Sequence, residues 1–190
     1  MSLTKPQQDR HERMLNVTSR LASEGGYDAV QMRAVAVEAD VALGTLYRYF
    51  PSKEHLLVSA MLRQIESLHD RLAVKPPQGL EAADRVIDVL RRANTALQRQ
   101  QQFTVAVVRA LASGDETVAP VVREVRDLMA GIILSALEIQ EPTDRERLVT
   151  EILQEVWLSS LVAWISGVEP TASVNRKLEA AARLLLDGHE

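Results

Sequence analysis

The chain has 190 residues, 46% of them hydrophobic and 25% charged, with a formal net charge of −4. These are globular proportions, enough for one large or two small domains, with too little Gly and Pro for a fibrous or disordered chain. Cys is absent, which excludes disulfides, thiolate metal sites and cysteine nucleophiles and agrees with a cytoplasmic location.

Helical periodicity runs through the chain, and no stretch alternates like a half-buried strand. The opening "MSLTKPQQDRHERML" holds no apolar run of the signal-peptide kind. A first helix is expected over about 5–24, with Met14, Leu15, Thr18, Leu21 and Ala22 inward and Gly25-Gly26 as its stop. A short helix follows at about 32–39, then a tight turn at Asp40 and Val41, then a third helix at about 43–49 before Pro51. Ser52 caps a fourth helix, about 52–74, which "KPPQG" ends. At 1.5 Å per residue that helix is about 33 Å long. Five more are expected at about 80–99, 101–113, 117–138, 143–167 and 172–187. Thr143 with Glu146 spells a capping box. The apolar run "VWLSSLVAWISGV" is too short and too interrupted by Ser to span a bilayer.

Short helix, tight turn, short helix is the helix-turn-helix pattern. Val35, Ala36 and Ala39 make an inner face, Val41 plugs the turn, and Leu46 and Phe50 point back from the third helix. That leaves Thr45, Arg48 and Tyr49 outward, with Tyr47 beside them. Arg can pair bidentately with guanine, and the Thr methyl can meet a thymine methyl. Tyr hydroxyls suit phosphates, as does Lys53 beside the free N–H groups of the next helix. Gly44 lets a duplex backbone approach. On this pattern alone, an ordinary polar surface is the alternative. Charge is distributed in the right sense. Residues 1–63 carry eight Lys/Arg against seven Asp/Glu, and the remainder fourteen against nineteen.

"GTLYRYFPSKEHLL", following "MRAVAVEADVA", closely resembles the TetR/AcrR family of transcriptional regulators over about 13–57. "GGYDAVQMRAVA" belongs to the same likeness. The resemblance implies an all-α homodimer of about nine helices per chain. Residues 1–51 would form a three-helix DNA-binding domain and 52–190 a ligand-sensing and dimerisation domain, with the 52–74 helix connecting them. It further implies a palindromic double-stranded DNA operator, usually repressed. By position, Arg33, Thr45, Tyr47, Arg48, Tyr49 and Lys53 match the family's DNA-contacting positions. Gln31, Asp40 and Ala42 depart from the family's usual Thr or Ser, Gly, and Ser. Asp tolerates left-handed backbone. Ala42 and Gln31 are weak caps, and Gln31 is expected to touch the DNA backbone instead. The DNA-binding half, with "VWLSSLVAW", looks closer still to the KstR-like steroid-catabolism repressors of actinobacteria, which respond to acyl-CoA thioesters.

A small-molecule effector is therefore expected in the C-terminal half. Candidate walls are Leu68, Leu90, Phe103, Val107, Leu111, Met129, Ile133, Trp157 and Leu161, with ordinary core packing as the alternative for each. Few aromatics among many Val, Leu and Ala leave room for a bulky lipid-like ligand, possible classes being an acyl-CoA or a steroid. Arg109, inside apolar "FTVAVVRALA", meets either an acidic ligand group or an acid of the chain or solvent. Helices 143–167 and 172–187 are expected to form the dimer face as a four-helix bundle; completing a monomer core is the other outcome. For an enzyme there is no phosphate loop, nucleophile elbow or zinc motif. His11, His55, His69 and His189 are scattered, and Glu66 with His69 lacks the matching pair of a di-iron site. No cofactor or metal is expected. A regulator of an efflux or xenobiotic-response gene is the alternative to a lipid-responsive one.

Overall fold

The computed structural model describes residues 4–186. The expected end of the last helix at 187, and His189, lie outside them. Among the described residues the fold is all-α, without strands. The helices are α1 (Lys5–Ala29), α2 (Met32–Glu38), α3 (Leu43–Tyr49), α4 (Lys53–Val74), α5 (Ala82–Arg99), α6 (Gln101–Leu111), α7 (Val118–Ala136), α8 (Asp144–Ile165) and α9 (Thr171–Leu186). Gly26 kinks α1 with a φ of 67°, a left-handed angle that only glycine adopts freely. The Gly-Gly pair thus interrupts the helix where expected, and one further turn carries it to Ala29. At α8 the capping box forms in full. Thr143 Oγ1 accepts from the Glu146 N–H at 3.4 Å, and the Glu146 carboxylate accepts from the Thr143 N–H at 2.6 Å.

The chain packs as two compact units. The first joins residues up to 64 with 100–124, and the second joins 65–99 with 125 onward. The first is therefore larger than a 1–51 segment, because α6 lies against α1. Met14, Leu15 and Ala22 of α1 are buried in this unit, as are Phe103, Ala106, Val107 and Ala110 of α6. An apolar face on α6 must be covered, and α1 covers it.

The second unit has its own apolar cluster. It includes Leu68 and Leu72 of α4, Val86 and Leu90 of α5, Met129 and Ile133 of α7, and Leu153 and Trp157 of α8. From α9, Val174, Leu178 and Ala182 complete it. Each fully buried Leu or Ile contributes about 1.5–3 kcal/mol relative to exposure. The 22 residues of α8 are long and apolar enough to cross a membrane by composition, yet Leu153, Trp157, Leu161 and Trp164 are core residues of the unit. On α9, one of the two helices expected at a dimer face, Leu178 and Ala182 are buried in this core. Apolar side chains left outward on these two helices are Leu148 (53% exposed), Leu158 (46%) and Val162 (41%) on α8 and Leu184 (79%) on α9.

Candidate nucleic-acid interface

The turn between α2 and α3 is built on Asp40, whose φ is 53°. The Asp40 N–H donates to the Val37 carbonyl at 3.2 Å and the Val41 N–H to that of Ala36 at 3.0 Å. This is how a left-handed residue closes a helix. Arg13, reaching from α1, donates Nε–H to the Ala39 carbonyl at 3.3 Å and satisfies another group at that end. Neither α2 nor α3 has a side-chain cap at its start: Gln31 and Ala42 stand there and make no such bond.

Leu46 and Phe50 are fully buried and seat α3. The His11 ring stacks on Phe50 at 5.1 Å, and the His55 ring lies 5.9 Å from it. Burial lowers the pKa of both imidazoles. Glu12 opposes the shift at His11, as Asp115 and Glu124 do at His55. Each is therefore neutral at pH 7, and a neutral ring packs against Phe50 without a buried charge.

With its inner side fixed, α3 turns Thr45, Arg48 and Tyr49 to one face, since positions three and four apart share a helix side. Arg48 and Tyr47 are exposed, while Thr45 and Tyr49 are half-buried. The Arg48 guanidinium sits 5.8 Å from the Tyr49 ring centre. A Cβ added at Gly44 would meet nothing within 4 Å, so that stretch of backbone is open to an approaching surface. Gln31, just before α2, and Arg33, on it, are exposed. Val37 is exposed as well, at 73%. Sequence reasoning passed over it because an apolar residue in a short helix reads as core.

Lys53 is not a bare clamp. Its ammonium lies 3.7 Å from the centre of the Tyr27 ring and donates to the Tyr27 carbonyl at 3.4 Å. Beside it, Ser52 Oγ caps α4 by accepting the His55 N–H at 3.0 Å. The Tyr27 hydroxyl donates to the Glu54 carboxylate. That bond is the main reason its pKa is pushed up to about 12. Arg109 brings its guanidinium 4.0 Å from the same ring and pairs with Asp28 at 3.3 Å. Arg109 of α6 therefore meets an acid of its own chain. Tyr27 was not singled out from the sequence; an aromatic next to Gly-Gly was the signal available.

The expected effector walls are divided. Leu68, Leu90, Met129, Ile133, Trp157 and Leu161 meet in the apolar cluster of the second unit. Phe103, Val107, Arg109 and Leu111 belong to α6 in the first unit. A groove of about 310 Å³ in the second unit is lined by others, among them His69, Pro76, Pro77, Arg85 and Glu138. Sequence reasoning missed it, because it depends on the Pro-Pro turn folding back beside α7.

A short exposed helix seated by Leu46 and Phe50 after the tight turn at Asp40 is the helix-turn-helix arrangement of DNA-binding regulators. The chain matches the domain described as bacterial regulatory proteins, tetR family, over residues 14–60. It matches the tetracyclin repressor-like C-terminal domain over 79–185. It is 44% identical over 180 residues to the HTH-type transcriptional repressor KstR of Rhodococcus jostii, covering 95% of this chain and 84% of that one. Among solved structures, a TetR transcriptional regulator from Rhodococcus sp. RHA1 superposes with a TM-score of 0.89 at 31% identity, covering 98% of this chain and 100% of that one. FadR of Thermus thermophilus, a TetR-family repressor in complex with lauroyl-CoA, has the same fold at a TM-score of 0.71 and 21% identity, covering 95% of each chain. The chain belongs to the TetR family of transcriptional regulators. It is a regulator and not an enzyme.

Proposed function

We propose that the chain is a cytoplasmic repressor that binds a palindromic operator as a homodimer and is released by a bulky lipid-like or steroid acyl-CoA effector. The observation that carries the DNA role is the outward set Thr45, Tyr47, Arg48 and Tyr49 on a helix seated by Leu46 and Phe50. Gln31, Arg33 and Lys53 are the further contacts. The likeness to KstR repressors over nearly the whole chain supports repression. The lauroyl-CoA bound by a regulator of the same fold supports the effector class.

Leu158, Val162 and Leu184 form the partner-facing surface of α8 and α9, and a two-fold copy would cover them. Residues 1–51, within the first unit, bind DNA, and the second unit senses ligand. The effector is held within the second unit, by walls drawn from Leu68, Leu90, Met129, Ile133, Trp157 and Leu161. The first half of α4 belongs to one packing unit and its second half to the other, so ligand that displaces α4 changes the setting of both recognition helices. A coupling of about 1–3 kcal/mol corresponds to roughly 5–150-fold in DNA affinity.

The test is selection of bound fragments from the source genome at moderate salt, followed by titration of the winner with lauroyl-CoA and a steroid acyl-CoA. A palindrome beside lipid or sterol genes, released by either thioester, supports the reading. A palindrome beside an efflux gene, indifferent to both, moves the effector to xenobiotics. No enriched fragment at any salt overturns the DNA role.

A further inference from the structure

Two cations that the sequence assigns to different tasks meet on one ring. Lys53 stands at the start of α4, where DNA phosphates are expected, and Arg109 stands on α6. Both lie within about 4 Å of the Tyr27 ring centre, at 3.7 and 4.0 Å. Two cationic groups that close to one centre must occupy opposite faces, by size and by mutual repulsion. Each is attracted by the negative π-face.

The hydroxyl at the ring's edge does something else: it donates to Glu54. Glu54 is the carboxylate nearest in sequence to Lys53. Accepting that hydrogen bond, the carboxylate is engaged at the ring's edge, away from the ammonium over the face. The partners of Lys53 are consequently a ring and a carbonyl, both neutral. Neutral partners hold the ammonium in place without cancelling its charge. An ion pair with Glu54 would cancel it, and a DNA phosphate would then have to displace a carboxylate.

We propose that Tyr27 is a positioning residue for operator binding. Its ring holds the Lys53 ammonium, and its hydroxyl keeps Glu54 from neutralising that charge. Arg109, anchored by Asp28 at 3.3 Å, braces the ring from the other face. The raised pKa of Tyr27 agrees, since the hydroxyl keeps its proton across the physiological range. The proposal rests on Lys53 meeting a phosphate, and the experiment separates the two claims.

Operator binding would be measured against salt for the full chain and for Tyr27→Phe, Glu54→Gln, the Tyr27→Phe/Glu54→Gln double, Lys53→Gln and the Tyr27→Phe/Lys53→Gln double. One phosphate contact is worth a salt slope of about one. Tyr27→Phe keeps the ring but frees Glu54. It should lower affinity roughly five- to tenfold near 0.1 M salt and reduce the slope by about one. Adding Glu54→Gln should restore both, which a merely structural loss would not allow. Tyr27→Phe should cost nothing further in the Lys53→Gln background. A Tyr27→Phe protein with wild-type affinity and slope overturns the proposal, as does a loss that Glu54→Gln fails to rescue. If Lys53→Gln itself binds like wild type, the phosphate role of Lys53 fails and the proposal with it. Far-ultraviolet circular dichroism and thermal unfolding of each variant identify any that fails to fold. Should Tyr27→Phe be such a variant, Glu54→Asp decides: its shorter carboxylate loses the hydroxyl, so unchanged affinity and slope overturn the proposal.

Discussion

The two packing units solve opposite problems. The second gathers side chains from five helices into a closed apolar cluster, and its longest helix begins with a complete capping box. The first unit holds α2 and α3, two seven-residue helices that start without side-chain caps and carry their cations outward. Neither would persist alone, since helices that short are marginal in water. They are kept by Leu46, Phe50 and the imidazoles beside Phe50. Where the molecule meets a partner, local stability gives way to exposed chemistry, and packing from behind supplies the rigidity.

That contrast can be broken in four places, from the largest expected effect downward. Leu153→Ala, fully buried in the second unit, should lower the unfolding free energy by about 2–5 kcal/mol. Urea unfolding reads it, and a loss below about 1 kcal/mol would mean that this core is loosely packed. Arg48→Ala should do the reverse. Operator affinity falls by about 1–3 kcal/mol with relaxed preference at one base position, while stability stays within about 0.5 kcal/mol. A binding titration paired with an unfolding curve separates the two, and a large stability loss would make Arg48 structural.

A smaller effect concerns the bare end of α3. Ala42→Ser supplies the missing acceptor and should raise stability by about 1 kcal/mol. No gain in the unfolding midpoint would imply that water or a neighbour already satisfies those N–H groups. The smallest effect is one of pH. His11 and His55 have pKa values lowered in the folded state, so the unfolded chain takes up protons first, near the ordinary value of about 6.5. Stability is complete above that pH and declines as pH falls through it towards the folded-state values. Thermal unfolding between pH 8 and 5 should show the decline, and His55→Gln should flatten it. The lowered carboxyls of Asp84, Asp115 and Glu146 act only in the more acidic carboxylate range, so they do not confuse this window. An unchanged profile would exclude His55 as a contributor.

What could be read from the sequence was what is decided locally. The bounds of α3, the interruption at Gly26, the left-handed Asp40 and the Thr143–Glu146 box each depend on a few neighbouring residues, and all are found in place. What could not be read depends on distant packing. α6 was assigned to the sensing half by its position in the chain, yet it lies against α1 because each has an apolar face to cover. Periodicity in α9 reports that a face is buried, not what buries it, and only the fold shows Leu178 and Ala182 meeting the core of their own unit. Tyr27 gathers Lys53, Glu54 and Arg109 from two other helices, and no spacing rule connects residues 27 and 109.

The interleaving of the units also bears on how such a protein can be recombined. The chain passes from one unit to the other after residues 64, 99 and 124. A chimaera spliced at residue 51, with a DNA-binding segment from one parent and all else from another, would therefore inherit an α6 shaped for a different α1. Grafts that carry 100–124 along with the first 64 residues keep that pairing intact, and those are the hybrids in which a new operator specificity should combine with an old sensor.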